Sequence, residues 1–433
     1  MLSFAGPTRS RTAALWKPIG WLMAGVFGIG WLAPNRLVAA EDVASPLTIA
    51  GESLTVWRER MSVLEPRHPA SIQYVPGLIE IVQCAEAPWF TRRQAALTLG
   101  RMGPSADSAV PVLIQILQCR QPPPEEETQL WSIKALGLFG PVGRDAAPVL
   151  LKEYRRPETT ELVRLSIVDT LSQIGPAHAL AIPFLVQLAT KANVAETAAE
   201  EALRRAAVEA LGMIGPAASV AVPTLIRALD DADENIRREA ASSLGKVGAG
   251  AGMGVGPLIE RLVVDESPAV QDAAARALAD IGVQEAGESL AEFFQSDNGA
   301  LRQRVAEIYG SWKSEAGAYA QSLEALWDDP DSMVRLAALE ASWQVTGRAA
   351  EIAPRIVAEF RDPDRNVRRR ASVLFERLGV AGRSAEMDLQ SLAESPRSDV
   401  RIAAKRALAQ CCTPVDDSPP GETVEPEAIP ERF

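Results

Sequence analysis

"LRRAAVEALGMIGPAASVAVPTLIRALDD" (Leu203–Asp231) is followed almost at once by "IRREAASSLGKVG" (Ile236–Gly248). Both stretches open on an apolar residue and an arginine, carry alanine and leucine at helical spacing, and stop at glycine. With Leu203 as position zero, the register recurs at Ile236, Val270, Leu301, Val334, Val367 and Val400, in steps of 33, 34, 31, 33, 33 and 33 residues. Thr91, Thr128 and Val163 continue it backwards at looser spacing. A fixed period of this size marks an array of one supersecondary unit, whose core is completed only by stacking on its neighbours.

The columns of the repeat define that unit. Positions 0, 4, 7, 8 and 11 lie on one helical face. Position 4 is mostly small (Ala207, Ala240, Ala338, Ala371), and position 8 is mostly leucine (Leu211, Leu244, Leu278). Three residues before position zero stand Thr160, Asp233, Ser267, Asn298, Asp331 and Asp364, residues whose side chains accept the orphan N–H groups of a helix start. Glycine at position 12 (Gly103, Gly140, Gly175, Gly215, Gly248, Gly282, Gly379) ends the helix. Pro111, Pro148, Pro183, Pro223 and Pro257 then open a second one. Each unit is two antiparallel helices, and a cap over about residues 53–84 brings the count to about eleven. The expected fold is all-α, a right-handed α-solenoid on the order of 100 Å long, with a concave surface lined by the first helix of each pair.

Length supports an array over one globule, because single cores stop growing near about 300 residues and this chain has 433. Residues 1–40 read differently. Arg9, Arg11 and Lys17 precede the apolar run Ile19–Ala33, and Val38-Ala39-Ala40 stands before Glu41-Asp42. This is the layout of a secretory signal peptide cut after Ala40, the alternative being an uncleaved membrane anchor. It has no adjacent arginine pair, and no cysteine near the cut for a lipid anchor. The expected location is therefore exported and periplasmic, with membrane contact only through that segment if it stays. Residues 41–52 read as a linker, 53–412 as the solenoid, and 413–433 as a disordered acidic, proline-rich tail. The net charge of −12 becomes −16 once the four cations of residues 1–40 (Arg9, Arg11, Lys17, Arg36) are gone. Such a surface argues against nucleic acid as a partner.

The texts "DPDSMVRLAALEA" (Asp329–Ala341), "DPDRNVRRRASVLFERLG" (Asp362–Gly379) and "NIRREAASSLGKVG" (Asn235–Gly248) resemble the HEAT family of α-solenoid repeats. Their bacterial form is similar to the HEAT-like repeats of phycobilisome lyases. The resemblance covers about residues 54–412 and implies the fold; function in such families sits in individual surface patches. "IYGSWKSEAG" (Ile308–Gly317) departs from the pattern by lacking glycine in phase, and the regular prolines thin out after Pro257. A change of repeat class is expected after about residue 282.

Position 1 is an arginine ladder: Arg92, Arg164, Arg204, Arg237, Arg302, Arg335, Arg368 and Arg401. One reading is an anion-binding row. The favoured one is structural, because an arginine in the first helical turn opposes the helix dipole and needs a fixed partner, such as the capping Asp233, Asp331 or Asp364. Candidate partner-binding residues are those at exposed positions that differ between copies: Leu130, Trp131 and Leu165 as an apolar patch, and Arg205, Arg238 and Arg369 as basic spots.

Catalytic, cofactor-binding and metal residues are expected to be none. His68 and His178 sit in turn-like text. "GKVGAGAGMGVG" (Gly245–Gly256) has no strand before it and reads as an inter-helix loop. Among HEAT-repeat enzymes, deoxyhypusine hydroxylase binds iron through His-Glu pairs, and this chain has none. Cys84 and Cys119 hold equivalent places in consecutive repeats, about 8–10 Å apart by helix stacking, farther than the roughly 7 Å a disulfide tolerates. The expected function is a non-catalytic scaffold or adaptor that binds a protein partner on the concave surface. A lyase-like or cofactor-handling enzyme and an architectural element of the cell envelope are the alternatives.

Overall fold

The computed structural model of the chain describes residues 47–119, 126–190 and 197–411. Contacts divide the chain after Leu47; the fold described is that of the unit beginning at Thr48. The signal segment and the acidic tail lie outside the described residues.

Among the described residues there are 21 α-helices. The first pair, α1 (Leu54–Val63) and α2 (Val75–Gln83), is the cap. The repeat pairs follow: α3 (Trp89–Met102) with α4 (Val110–Gln118), α5 (Glu126–Leu138) with α6 (Ala147–Tyr154), and α7 (Glu161–Ile174) with α8 (Ala181–Ala189). The central pairs are α9 (Ala198–Ile214) with α10 (Val222–Ala228), α11 (Glu234–Val247) with α12 (Val255–Val264), and α13 (Pro268–Ile281) with α14 (Val283–Ala291). Then come α15 (Gly299–Ser311) with α16 (Ala320–Ala325), α17 (Ser332–Thr346) with α18 (Ala349–Ala358), and α19 (Arg365–Leu378) with α20 (Glu386–Leu392). The last helix, α21 (Ser398–Cys411), has no partner helix among the described residues. Odd-numbered helices from α3 stack on one another as a first layer, and even-numbered helices form the second. The result is an all-α solenoid.

Local chemistry sets the boundaries. Thr160, Asp233, Asn298, Asp331 and Asp364 accept N–H bonds at helix starts, whereas Ser267 makes no such side-chain bond. The glycines at position 12 all adopt positive φ, from +53° to +100°, a region in which a side chain is strained. After most of them the chain runs through a short 3₁₀ turn, such as Gly215–Ala221 or Gly248–Gly254, before the second helix. The Gly-rich stretch is thus an inter-helix turn. Residues 198–228 and 234–264 are long and apolar enough for membrane spans, yet each is a helix–turn–helix pair bent at a positive-φ glycine.

One part of the linker assignment is corrected. Thr48–Ile49 and Glu52–Ser53 pair as a two-stranded hairpin. Ile49 is buried and its carbonyl accepts the Trp57 indole N–H at 2.9 Å, so this segment belongs to the folded cap.

Spacing within the first layer follows position 9, a column with no part in the amphipathic pattern. It reads Gly100, Gly137, Ser172, Gly212 and Gly245, then Ala279, Gly310, Trp343 and Glu376. A β-carbon on Gly245 would lie 2.8 Å from the Ala277 Cα of the next helix, and one on Gly100 2.7 Å from the Ala135 carbonyl. These glycines admit a neighbouring backbone. Where position 9 is Ala279, Trp343 or Glu376, the successive first-layer helices share smaller contacts. At the α13–α15 junction Trp312 bridges the gap, its indole N–H donating to the Ala279 carbonyl at 2.8 Å. Tyr309 packs against Trp312, with Phe294 and Tyr319 packed in turn against Tyr309, and Lys313, at the missing glycine's place, takes φ +53°. At the α13–α15 junction, just after residue 282, aromatic filling thus replaces glycine contact, which returns at Gly310 against Ala341. Gly245→Val should cost about 1–3 kcal/mol through overpacking, read as a lower urea midpoint with an unchanged m-value.

Candidate functional site

Arg237, Arg302, Arg335 and Arg368 lie in the first turn of a first-layer helix, where each guanidinium reaches both the loop before its own helix and the start of the following repeat. Arg237 donates Nη1–H to the Asp231 carbonyl at 2.9 Å, and Nε–H and Nη2–H to the two Asp265 carboxylate oxygens at 2.9 and 3.0 Å. Arg302 likewise bonds the Ser296 carbonyl and, bidentately at 2.8 Å, Asp329. Arg335 bonds the Asp329 carbonyl and the Glu359 carboxylate, with Asp362 at 3.8 Å. Arg368 bonds the Asp362 carbonyl and Asp399, and Arg204 pairs with Asp231.

The partners differ from those expected. The capping Asp233, Asp331 and Asp364 sit at position −3 and are spent on N–H groups of their own helix. In the regular rungs the carboxylate comes instead from position −5 of the next repeat: Asp231, Asp265 and Asp329. Each of these also accepts the N–H two residues on, closing the turn before the helix. Gln271 keeps only the carbonyl half of the rung, bonding the Asp265 carbonyl at 2.7 Å. Arg164 bonds the Arg156 carbonyl and lies over the Tyr154 ring. Arg92 is half-buried, and its Nε has no hydrogen-bond partner among the described residues.

Burial makes these pairs count. The Asp265 side chain is 1 % exposed and that of Arg237 15 %. Burial raises the Asp265 and Asp329 carboxyls, but hydrogen bonds from Arg237 and Arg302, the Ser267 and Asp331 N–H groups and nearby guanidinium charges outweigh it. Both are held below the ordinary 3.8.

The proposed apolar patch is corrected. Trp131 is 3 % exposed and belongs to the N-terminal core; its indole nitrogen has no partner there. Leu130 and Leu165 are partly buried against core clusters, and the equivalent Leu336 is fully buried. Close stacking of the first layer turns position 2 toward the next repeat, so apolar residues there are interface. Arg205 and Arg369 are exposed, while Arg238 is half-buried beside Glu239 at 3.2 Å. The structure does not gather these three into one cluster.

The outward column of the first layer is position 6, with Lys134, Asp169, Arg276, Glu307 and Arg406 exposed. Burial, with Glu239 beside it, raises the Glu209 carboxyl in this column. Farther along, Arg370 on α19 reaches past α17 to Glu307 on α15 at 2.8 Å, and Arg377 pairs with Glu340. Sequence reasoning chose its candidates from positions 2 and 3. A signal it could have used is the concentration of charged residues of both signs at position 6, such as Lys134, Asp169, Glu209, Arg276, Glu307 and Arg406.

No group of three or more His, Cys, Asp or Glu side chains able to hold a metal occurs among the described residues. His68 and His178 each accept a nearby backbone N–H at 3.2 Å in loops. Cys84 and Cys119 cap α2 and α4, and no disulfide joins them.

Layered helix pairs tied by a lengthwise arginine–carboxylate ladder define the class: an α-solenoid of two-helix repeats. Residues 192–251 and 255–343 match the HEAT repeat family, and residues 91–119 match the PBS lyase HEAT-like repeat. No curated protein matches the chain. Among solved structures it is similar to importin beta, at 12% identity and TM-score 0.47, over 82% of this chain and 53% of that one. It is also similar to a Kap95:Nup1 complex, at 13% identity and TM-score 0.49, over 82% and 58%. The chain spans little more than half the length of these structures, and the likeness concerns fold alone.

Arg237→Ala removes two backbone-facing bonds and strips buried Asp265 of its bidentate partner, leaving it the Ser267 N–H and the more distant Arg261 at 3.9 Å. A loss of about 3–5 kcal/mol is expected, read as a depressed melting temperature; an unchanged one would refute the structural role.

Acid should act through the same rungs. Because Asp265 and Asp329 have depressed folded pKa values, their stabilisation is complete above about pH 4 and is lost as the pH falls through those values. Melting temperature should drop steeply below about pH 4, and Asp265→Asn with Asp329→Asn should flatten that acid limb.

Proposed function

We propose that the chain is a non-catalytic scaffold that captures a partner protein on the outward face of its first helical layer. The carrying observation is the division of labour among columns. Positions 0, 1, 4, 8 and 9 are consumed by stacking, while position 6 is exposed at Lys134, Asp169, Arg276, Glu307 and Arg406 and carries residues of either charge. A surface held in place by the ladder needs little ordering when a partner binds, and its mixed charges suit a polar, charged partner surface. The apolar run and small-residue cut within residues 1–40 support an exported, periplasmic location for this scaffold.

The test is photo-crosslinking in intact cells. Photoreactive residues at Lys134, Asp169 and Arg276 should each trap a discrete protein species, and one at Glu260 on the second layer should not. Capture from the second layer alone, or a stoichiometric metal or chromophore in the purified protein, would overturn the reading.

A further inference from the structure

The ladder has one open end. In five rungs the arginine takes a carboxylate from later in the chain, at separations of 27 (Arg204–Asp231), 28 (Arg237–Asp265), 27 (Arg302–Asp329), 24 (Arg335–Glu359) and 31 residues (Arg368–Asp399). Arg401 on α21 makes the carbonyl half of the same rung, with Nη1 donating to Ser395 at 2.7 Å and to Pro396 at 3.5 Å. It meets no carboxylate among the described residues. The face of α21 around it is the one on which a following repeat would stack. Ile402, at the position where Leu336 is fully buried, is here 56 % exposed, and Lys405 and Arg406 are exposed too.

Separations of 24 to 31 residues from Arg401 fall on residues 425–432, which contain Glu425, Glu427 and Glu431. From Thr413 to the C-terminus the chain carries six acids against one arginine, beside a helix end with three cations. We propose that the acidic tail closes the ladder: a carboxylate of Glu425, Glu427 or Glu431 occupies the open side of Arg401, and the tail covers the α21 face as the terminal cap that solenoid ends require. Charge complementarity and register choose this occupant over a second copy or a foreign acidic segment.

The full-length chain provides the test, by amide hydrogen exchange in α21. Glu425→Gln, Glu427→Gln and Glu431→Gln together should speed exchange of α21 amides about fivefold, the scale of one exposed charge pair, and raised salt should do the same. Arg401→Gln loses its carbonyl bonds as well, so the decisive reading is the combination: the four substitutions together should fall short of the product of the separate effects. Unchanged exchange in the triple variant, or strictly multiplicative effects, would overturn the proposal. So would α21 protection that rises with protein concentration, which would give the face to a second copy.

Discussion

The structure depends on one aspartate per regular repeat, placed five residues before the first buried residue of the helix. Asp265 shows the arrangement. Its carboxylate receives Arg237 from the preceding repeat and the Ser267 N–H of its own turn, while its carbonyl receives Gln271 of its own helix. The loop conformation, the helix start and the join between repeats are thereby fixed by one residue. A carboxylate with 1 % exposure is tolerable only when its charge and oxygens are all engaged. The ladder is therefore cooperative: each rung is sound only if its two neighbours have already placed their loops.

Hydrophobic stacking alone would leave the repeats free to slide. Alanine and leucine bury well but carry little directional information. Two devices supply it. The rungs fix register along the chain, and glycine at position 9 fixes the distance between first-layer helices. Where glycine gives way to Ala279, the Tyr309–Trp312 cluster and its bond to the Ala279 carbonyl perform the same task with larger groups. Small-on-backbone and aromatic-in-gap are two solutions to one packing problem.

The period, the caps at Asp233 and Asp331, the glycines at position 12 and the two-helix unit were all legible in the sequence because they are local and repeat. The arginine column was legible as structural for the same reason. Its partner was not: aspartates at −3 and −5 look equivalent in text, and only the folded turn shows that the first caps its own helix while the second reaches the neighbouring repeat. Trp131 failed differently. Position 3 lies on the flank of the face that carries positions 0, 4 and 7, and the close approach admitted by Gly100 and Gly137 buries it. The Thr48–Ser53 hairpin was hidden by its shortness.

These misreadings bear on where function lies. In a stack, a side chain has two ways of being outward, away from its own pair or away from the whole layer, and only the second leaves it in water. Position 2 is outward in the first sense: its apolar residues Leu130, Leu165 and Leu336 are covered by neighbouring repeats, while Arg205 and Arg369 reach solvent. On α21, where no described repeat follows, the same position exposes Ile402. A residue that varies between copies therefore signals binding only if its column clears both neighbours. Position 6 meets that condition at Lys134, Asp169, Arg276, Glu307 and Arg406. Its charges are also those which Arg370 uses to reach past α17 to Glu307, so the face offered to a partner is braced by the same class of interaction that holds the stack.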